Sequence, residues 1–252
     1  MPQTTVFKIL LFSLLSISRS PLPGKGGEAE AGRLLQQAQQ AAAEGRSMDA
    51  VRLATGAIET DSQLAFAYYV RGREHFRLSK IAESVADFDQ FVKLRPDLEP
   101  RQWERGLSFY YAGQFEKGAK QFELYQTYHD NDVENSVWRY ACLARKEGTE
   151  KARETILPIR NDPRVPMMQI YNMFRAKLLP EAVLKTARAG RPTSKALNNR
   201  LFYANFYIGL FFESKGDTGK ARRHILASQK HKVAHYMWDV ARYHASLFRK
   251  QK

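Results

Sequence analysis

The sequence predicts an all-α chain, a solenoid of stacked helix-turn-helix units, and three observations predict it. Aligned against itself, the chain repeats with a period of 34: Gly72 pairs with Gly106, Phe76 with Tyr110, Phe88 with Phe122 and Phe91 with Tyr125. Within each repeat the apolar residues recur three and four apart, as on one face of a helix. Glycine and proline punctuate the ends of those stripes rather than their interiors. With 44% apolar and 26% charged residues and only 15 Gly and 10 Pro in 252 residues, the composition is that of an ordinary folded chain. A single Cys excludes a disulfide-built module.

The first segment stands apart. Met1 to Ser20 carries one early cation, Lys8, then an apolar run from Ile9 to Ile17 and small residues before Pro21, the pattern of a secretory signal. Export is the expectation, with a cytoplasmic location the alternative if the start codon is misplaced. The run is too short to span a bilayer. A lipid-bearing Cys at the cleavage point is missing, because the only Cys is Cys142. Residues 21–30 (PLPGKGGEAE) are expected to form a flexible tether.

One continuous body is expected over residues 31–252. Clear units cover 31–64, 65–98, 99–132 and 202–235. In the first of these, Ala38, Ala54 and Ala57 hold the places of Gly72, Phe88 and Phe91. Gly45, Ser79, Gly113 and Gly216 mark the turns between paired helices. Val85, Phe88, Phe91 and Val92 form the buried stripe of a second helix, which Pro96 ends. The middle slips, since Gly106 and Gly209 lie 103 apart, one more than three periods. Residues 133–163 read as a degenerate unit through Trp138, Leu143, Gly148, Ala152 and Ile156. Five prolines from Pro158 to Pro192 then allow only short helices near 167–177 and 180–189, and a bend is expected there. A last helix, Tyr236 to Phe248, is expected to cap the open end.

A 34-residue period with a small residue in the eighth place and apolar residues in the 24th and 27th resembles the tetratricopeptide repeat (TPR), whose units stack into a right-handed superhelix. Over about 220 residues the order of Ala86 to Pro96, Asp132-Val133-Glu134-Asn135 with Trp138, Asn205 to Gly209, and His235-Tyr236 is similar to the Nlp-type bacterial TPR lipoproteins and their unanchored relatives. That resemblance implies an exported, homodimeric, non-enzymatic adaptor for protein partners. The missing lipid-bearing Cys departs from it.

No constellation for chemistry emerges. Gly24-Lys25-Gly26-Gly27 lacks the spacing and the hydroxyl of a phosphate loop, and there is neither a G-x-S-x-G elbow nor an H-E-x-x-H helix. Cys142 has no base beside it and reads as a core residue. His231 and His235 have metal-ligand spacing, but a helix break expected near Val233 separates them; no metal and no cofactor are expected. Asp130, Asp132 and Glu134 read as a turn and helix cap.

Recognition is the better candidate. In a TPR-like stack the first helices line a groove, and the groove places hold Phe66, Tyr69, Arg73, Phe76 and Arg77, then Trp103, Leu107, Tyr110 and Tyr111, then Tyr203, Phe206 and Leu210. Aromatic residues interleaved with Arg suit protein or peptide anchoring. The sixth places hold Val70, Glu104 and Trp138, which does not suit the carboxylate-clamp variety. Charge adds a second feature: from Ser214 to Lys252 ten Lys or Arg face two acids, so this stretch supplies +8 of the total +14. Lys220, Arg222, Arg223, Lys230 and Lys232 make it a basic end. An anionic polymer or nucleic acid is the alternative partner, and export argues against nucleic acid.

Overall fold

A computed structural model describes residues 25–249. The expected signal over residues 1–20 lies outside the described residues, as do positions 21–24 and 250–252. Residues 25–30 are not tether but the opening turns of the first helix.

The paired units are α1 (Lys25–Ala43) with α2 (Ser47–Thr60), α3 (Ala65–Arg77) with α4 (Ile81–Leu94), and α5 (Trp103–Tyr111) with α6 (Phe115–Tyr128). A 3₁₀ turn, Pro96–Arg101, joins the second pair to the third. The middle holds α7 (Val133–Glu147), the short α8 (Thr149–Glu154), α9 (Met167–Phe174) and α10 (Pro180–Arg188). The chain finishes with α11 (Ser194–Ser214), α12 (Thr218–Ser228) and α13 (Tyr236–Leu247). Apart from α8 and α9, which both pack on α7, consecutive helices pack against each other and each pair leans on the next. Among the described residues there is no strand, and no helix is long and apolar enough to cross a membrane.

The repeat is visible in how the first helices stop. Gly45, Gly113 and Gly216 sit at φ 77°, 73° and 77°, and Ser79 takes the same place at 64°. Each time the following amide reaches back five residues: Arg46 to Ala41, Lys80 to His75, Gln114 to Phe109 and Asp217 to Phe212, at 2.8 to 3.0 Å. This left-handed stop satisfies the last carbonyls while reversing the chain within three residues. α9 stops identically at Ala176, φ 58°, with Lys177 bonded to Asn172. No glycine marks that stop, yet the Pro-rich middle holds the two short helices expected near 167–177 and 180–189.

Close crossings explain two of the periodic glycines. A Cβ on Gly106 would stand 2.7 Å from the Phe122 ring, and one on Gly209 would stand 2.6 Å from Ile225 Cδ1. Each removes a side chain where the second helix of its unit crosses the first. Phe91 and Tyr125, which replace small residues of the usual pattern, are accommodated in the core, 1% and 8% exposed.

The last helix departs most from expectation. It packs on α12, as a cap would, but it also lies across the face that the first helices share. Tyr236 meets Phe76 at 5.5 Å and Trp103 at 5.6 Å, and Tyr243 meets Phe76 and Tyr111. Trp238 and His244 meet Phe202 and Phe206 of α11. Arg77 of α3 donates to Asp239 Oδ2 at 2.9 Å, and Arg242 donates to the Arg77 carbonyl. The helix thus lines the groove with the protein's own side chains, and one apolar core runs from Phe76 to Phe248 through it.

Candidate partner-binding cleft

What remains open of the groove is a cleft of about 1270 Å³ between the α1–α2 turn, α3 and the segment leading into α13. Its cations are Arg46, Arg73, Arg77, Lys232 and Arg242, against the carboxylates of Asp49 and Asp239. Trp103 and Trp238 supply aromatic wall, and Met48, 77% exposed, stands at the rim.

Each cation is held differently. Arg73 lies 4.9 Å over the Tyr236 ring, and its Nε stands 3.7 Å from Glu104 Oε1. Glu104 is buried, and Tyr69 donates its hydroxyl to it at 2.8 Å. Burial pushes the Glu104 carboxyl above its usual range, while Arg73 works against that rise. Arg77 is committed to structure: it donates to Glu74 Oε1 at 2.6 Å and to Asp239 at 2.9 Å. Arg46 pairs with Glu44 and Asp49. Lys232 is exposed and has no carboxylate partner among the described residues. Glu44, Glu74 and Glu104 thus join Asp49 and Asp239 in offsetting the cations of the cleft, and its exposed positive charge sits at Lys232 and Arg242.

The expected groove residues divide into four groups. Arg73, Arg77 and Trp103 line the cleft. Phe76, Leu107, Tyr110, Phe206 and Leu210 are core, 0 to 6% exposed, and Phe76 and Phe206 lie directly beneath α13. Tyr111 is half-buried and pairs through its hydroxyl with His244 Nδ1 at 3.0 Å. Tyr69 and Tyr203 are half-buried, Tyr203 stacking on Tyr207. Phe66 is 41% exposed and packs on Phe91 under Arg95, away from the cleft.

The basic end also divides. Lys232 belongs to the cleft, so the aromatic groove and the basic end meet there. Lys220 and Arg223 line a second cleft of about 910 Å³ with Phe211, Phe212, Lys177 and Lys215. Arg222 and Lys230 are exposed and line neither. His231 sits in the turn after α12 and pairs with Asn198, whereas His235 caps α13; among the described residues no cluster suited to a metal appears.

One constellation had no signal in the sequence. Asp132 caps α7 as expected, accepting from the Glu134 amide, but Arg164 from the Pro-rich middle also binds it at 2.7 Å. The same guanidinium reaches Glu134 Oε2 and Asp162 Oδ2, each at 2.6 Å. Tyr207 donates to Glu134 Oε1 at 2.6 Å. Three carboxylates thus share one cation. Burial first, and the Asp132 charge second, push the Glu134 carboxyl up to about 7. Thirty residues separate Arg164 from Glu134, and no local spacing encodes that meeting.

Comparison with solved structures places the architecture. MamA 41-end from Desulfovibrio magneticus RS-1 superposes with a TM-score of 0.50 at 15% identity, over 80% of this chain and 94% of that one. With the repeated left-handed stops and consecutive helix pairs already described, this decides the fold. The chain has the fold of a tetratricopeptide-repeat solenoid. A MamA RS-1 ArsTM double mutant gives 0.49 at 15% identity over 80% of this chain and 93% of that one. YrrB, described as a TPR protein with an unusual peptide-binding site, gives 0.46 at 15% identity over 88% and 95%. No family model matches this chain.

Proposed function

We propose that this TPR solenoid is a non-enzymatic scaffold that binds an acidic peptide segment of a protein partner in the cleft beside α13. One observation carries the reading: the exposed cations Lys232 and Arg242 stand at a cleft of about 1270 Å³ with Trp103 and Trp238 in its wall. Charge complementarity draws an acidic segment in, and an apolar side chain of that segment packs against the indoles. Export to the cell envelope is part of the proposal, supported by the pattern of Met1 to Ser20; mass spectrometry of the mature N-terminus tests it.

Peptide arrays that vary net charge test the cleft. Acidic peptides should be retained, and the double variant Lys232→Glu/Arg242→Glu should lose them while its far-ultraviolet circular dichroism stays that of the parent. Retention without charge bias, or unchanged binding in the double variant, refutes the assignment. An anionic polymer is the alternative occupant, favoured by Lys177, Lys215, Lys220 and Arg223 around the second cleft. Its signature is an affinity that falls about one log unit per log unit of salt for each phosphate contacted.

A further inference from the structure

Behind the cleft lies a smaller cavity of about 130 Å³, and the two share Trp103 and His235 as a common wall. Those rings stack at 6.0 Å, 8° from parallel. Trp138, Tyr125 and Phe122 complete an aromatic surround, while Asp132, Glu134, Asn135 and Arg164 form the polar side.

Two features of that polar side are not explained by the fold. The first is charge. Asp162 and Arg164 balance each other, and Asp162 also accepts the Val133 and Arg164 amides. Asp132 and Glu134 then remain as two carboxylates with only a share of the same guanidinium. The rise of the Glu134 carboxyl to about 7 has the same origin, since burial and Asp132 both disfavour its charge. The second is hydrogen bonding. Asn135 and Trp138, 3% and 2% exposed, each carry a polar atom with no partner: Asn135 Oδ1 and Trp138 Nε1. The amide orientation is set by its neighbours, because Asn135 Nδ2 donates to the Phe122 carbonyl at 3.0 Å and to Gln126 Oε1 at 3.1 Å. Gln126 in turn donates to the Asp130 and Pro158 carbonyls, so its oxygen must face Asn135. The open atom of Asn135 is therefore an acceptor. A buried polar atom left unpaired has lost its hydrogen bond to water with nothing in return.

An acceptor without a donor, two carboxyl groups that share one guanidinium with Asp162, and a surround of aromatic faces together call for a cation bearing N–H groups. The volume compares with the roughly 150 Å³ engineered cavity that holds a benzene ring, so it suits a planar guanidinium or a short ammonium. Trp138 Nε1, the one open donor, suits a carbonyl carried next to that cation, as in a peptide.

We propose that this cavity is a binding site for a compact organic cation, a guanidinium or ammonium group of the kind that ends a basic side chain. The site is separate from the acidic-segment cleft and stands on different residues, apart from the Trp103–His235 wall.

Isothermal titration of the full chain tests it with three probes. N-acetyl-arginine amide presents the cation on a peptide unit, N-ethylguanidinium presents it free, and N-acetyl-citrulline amide is the neutral isostere. Saturable binding of either cation, with none of the citrulline compound, supports the proposal; which cation binds tells a side chain on a peptide from a free guanidinium. Asp132→Asn, which keeps an oxygen for the cap, should weaken binding about tenfold, as removal of a charge-assisted contact does. Trp138→Phe, which keeps the ring and removes the N–H, should weaken the arginine compound more than N-ethylguanidinium, and serves if Asp132→Asn fails to fold. Equal binding of citrulline and arginine compounds, no saturation with either cation, or full affinity in the Asp132→Asn chain overturns the proposal. Trp138→Phe should still retain acidic peptides on the arrays, so failure here is distinguishable from failure of the cleft.

Discussion

Arg77→Met probes the link between α3 and α13 most sharply. Glu74 is 1% exposed, its Oε2 has no partner, and Arg77 is the only cation that reaches its Oε1 among the described residues. Removing the guanidinium leaves a buried carboxylate alone, a loss of about 3–5 kcal/mol when one partner of a buried pair is deleted. Asp239 is affected less, since Arg242 stands 3.5 Å from it. The hydrogen bond from Arg77 to the Ala42 carbonyl, at 3.3 Å, adds on the order of 1 kcal/mol or less. Urea denaturation followed by circular dichroism should therefore show a loss of about 3–5 kcal/mol for Arg77→Met. Glu74→Met/Arg77→Met, which removes both buried charges, should recover most of that loss, leaving roughly 1 kcal/mol for the α3–α13 tie. The reasoning is refuted if the single variant unfolds within about 0.5 kcal/mol of the parent, or if the double variant is no better than the single. Hydrogen exchange of residues 236–247 should also quicken in the single variant, because α13 loses one of its ties to α3.

Further outcomes follow from single contacts. Gly209→Ala should destabilise by about 1–2 kcal/mol, since overpacking against Ile225 and its backbone amide, 3.1 Å away, outweighs about 1 kcal/mol of helix propensity; adding Ile225→Val should restore part, and a parent-like melting curve would count against the close crossing. Glu134 carries a pH signature: its carboxyl is raised from 4.5 to about 7, so the folded chain keeps a proton that the unfolded chain has released over that interval. Its contribution to stability is therefore full below 4.5 and lost as pH rises through about 7, and Glu134→Gln should flatten that slope in urea titrations; equal slopes would contradict it. Cys142 is buried, and burial pushes its thiol up from 9.0, so disulfide reagents should label it only on unfolding. Rapid labelling of the native chain would show that α7 opens.

Much of this architecture is written locally. Gly45, Gly113 and Gly216 announce the left-handed stops, Pro96 ends a helix, and the spacing of Gly72, Gly106 and Gly209 places the crossings, because each depends on residues within one unit. The candidate site is less legible. Arg73, Arg77 and Trp103 can be read from groove positions, but Trp238 and Arg242 join the cleft only through a chain reversal of more than 160 residues. Ala176 hides a helix stop because an alanine there carries no turn signal.

By itself the sequence determines an all-helical chain in which each unit exposes an apolar face that the next must cover, and a C-terminal segment rich in positive charge. Only the tertiary structure decides that α13 turns back onto α3, α5 and α11, taking Phe76 and Phe206 out of the groove and bringing Lys232 and Arg242 into it. The physical reason is accumulation. Each helix pair rotates against its neighbour by an amount that side-chain packing sets, and where the last helix lands is the sum of those rotations through the Pro-rich middle. Arg164 meets Asp132 and Glu134 by the same summation, so the charge surplus of the small cavity arises from the folded chain and from no single stretch of it.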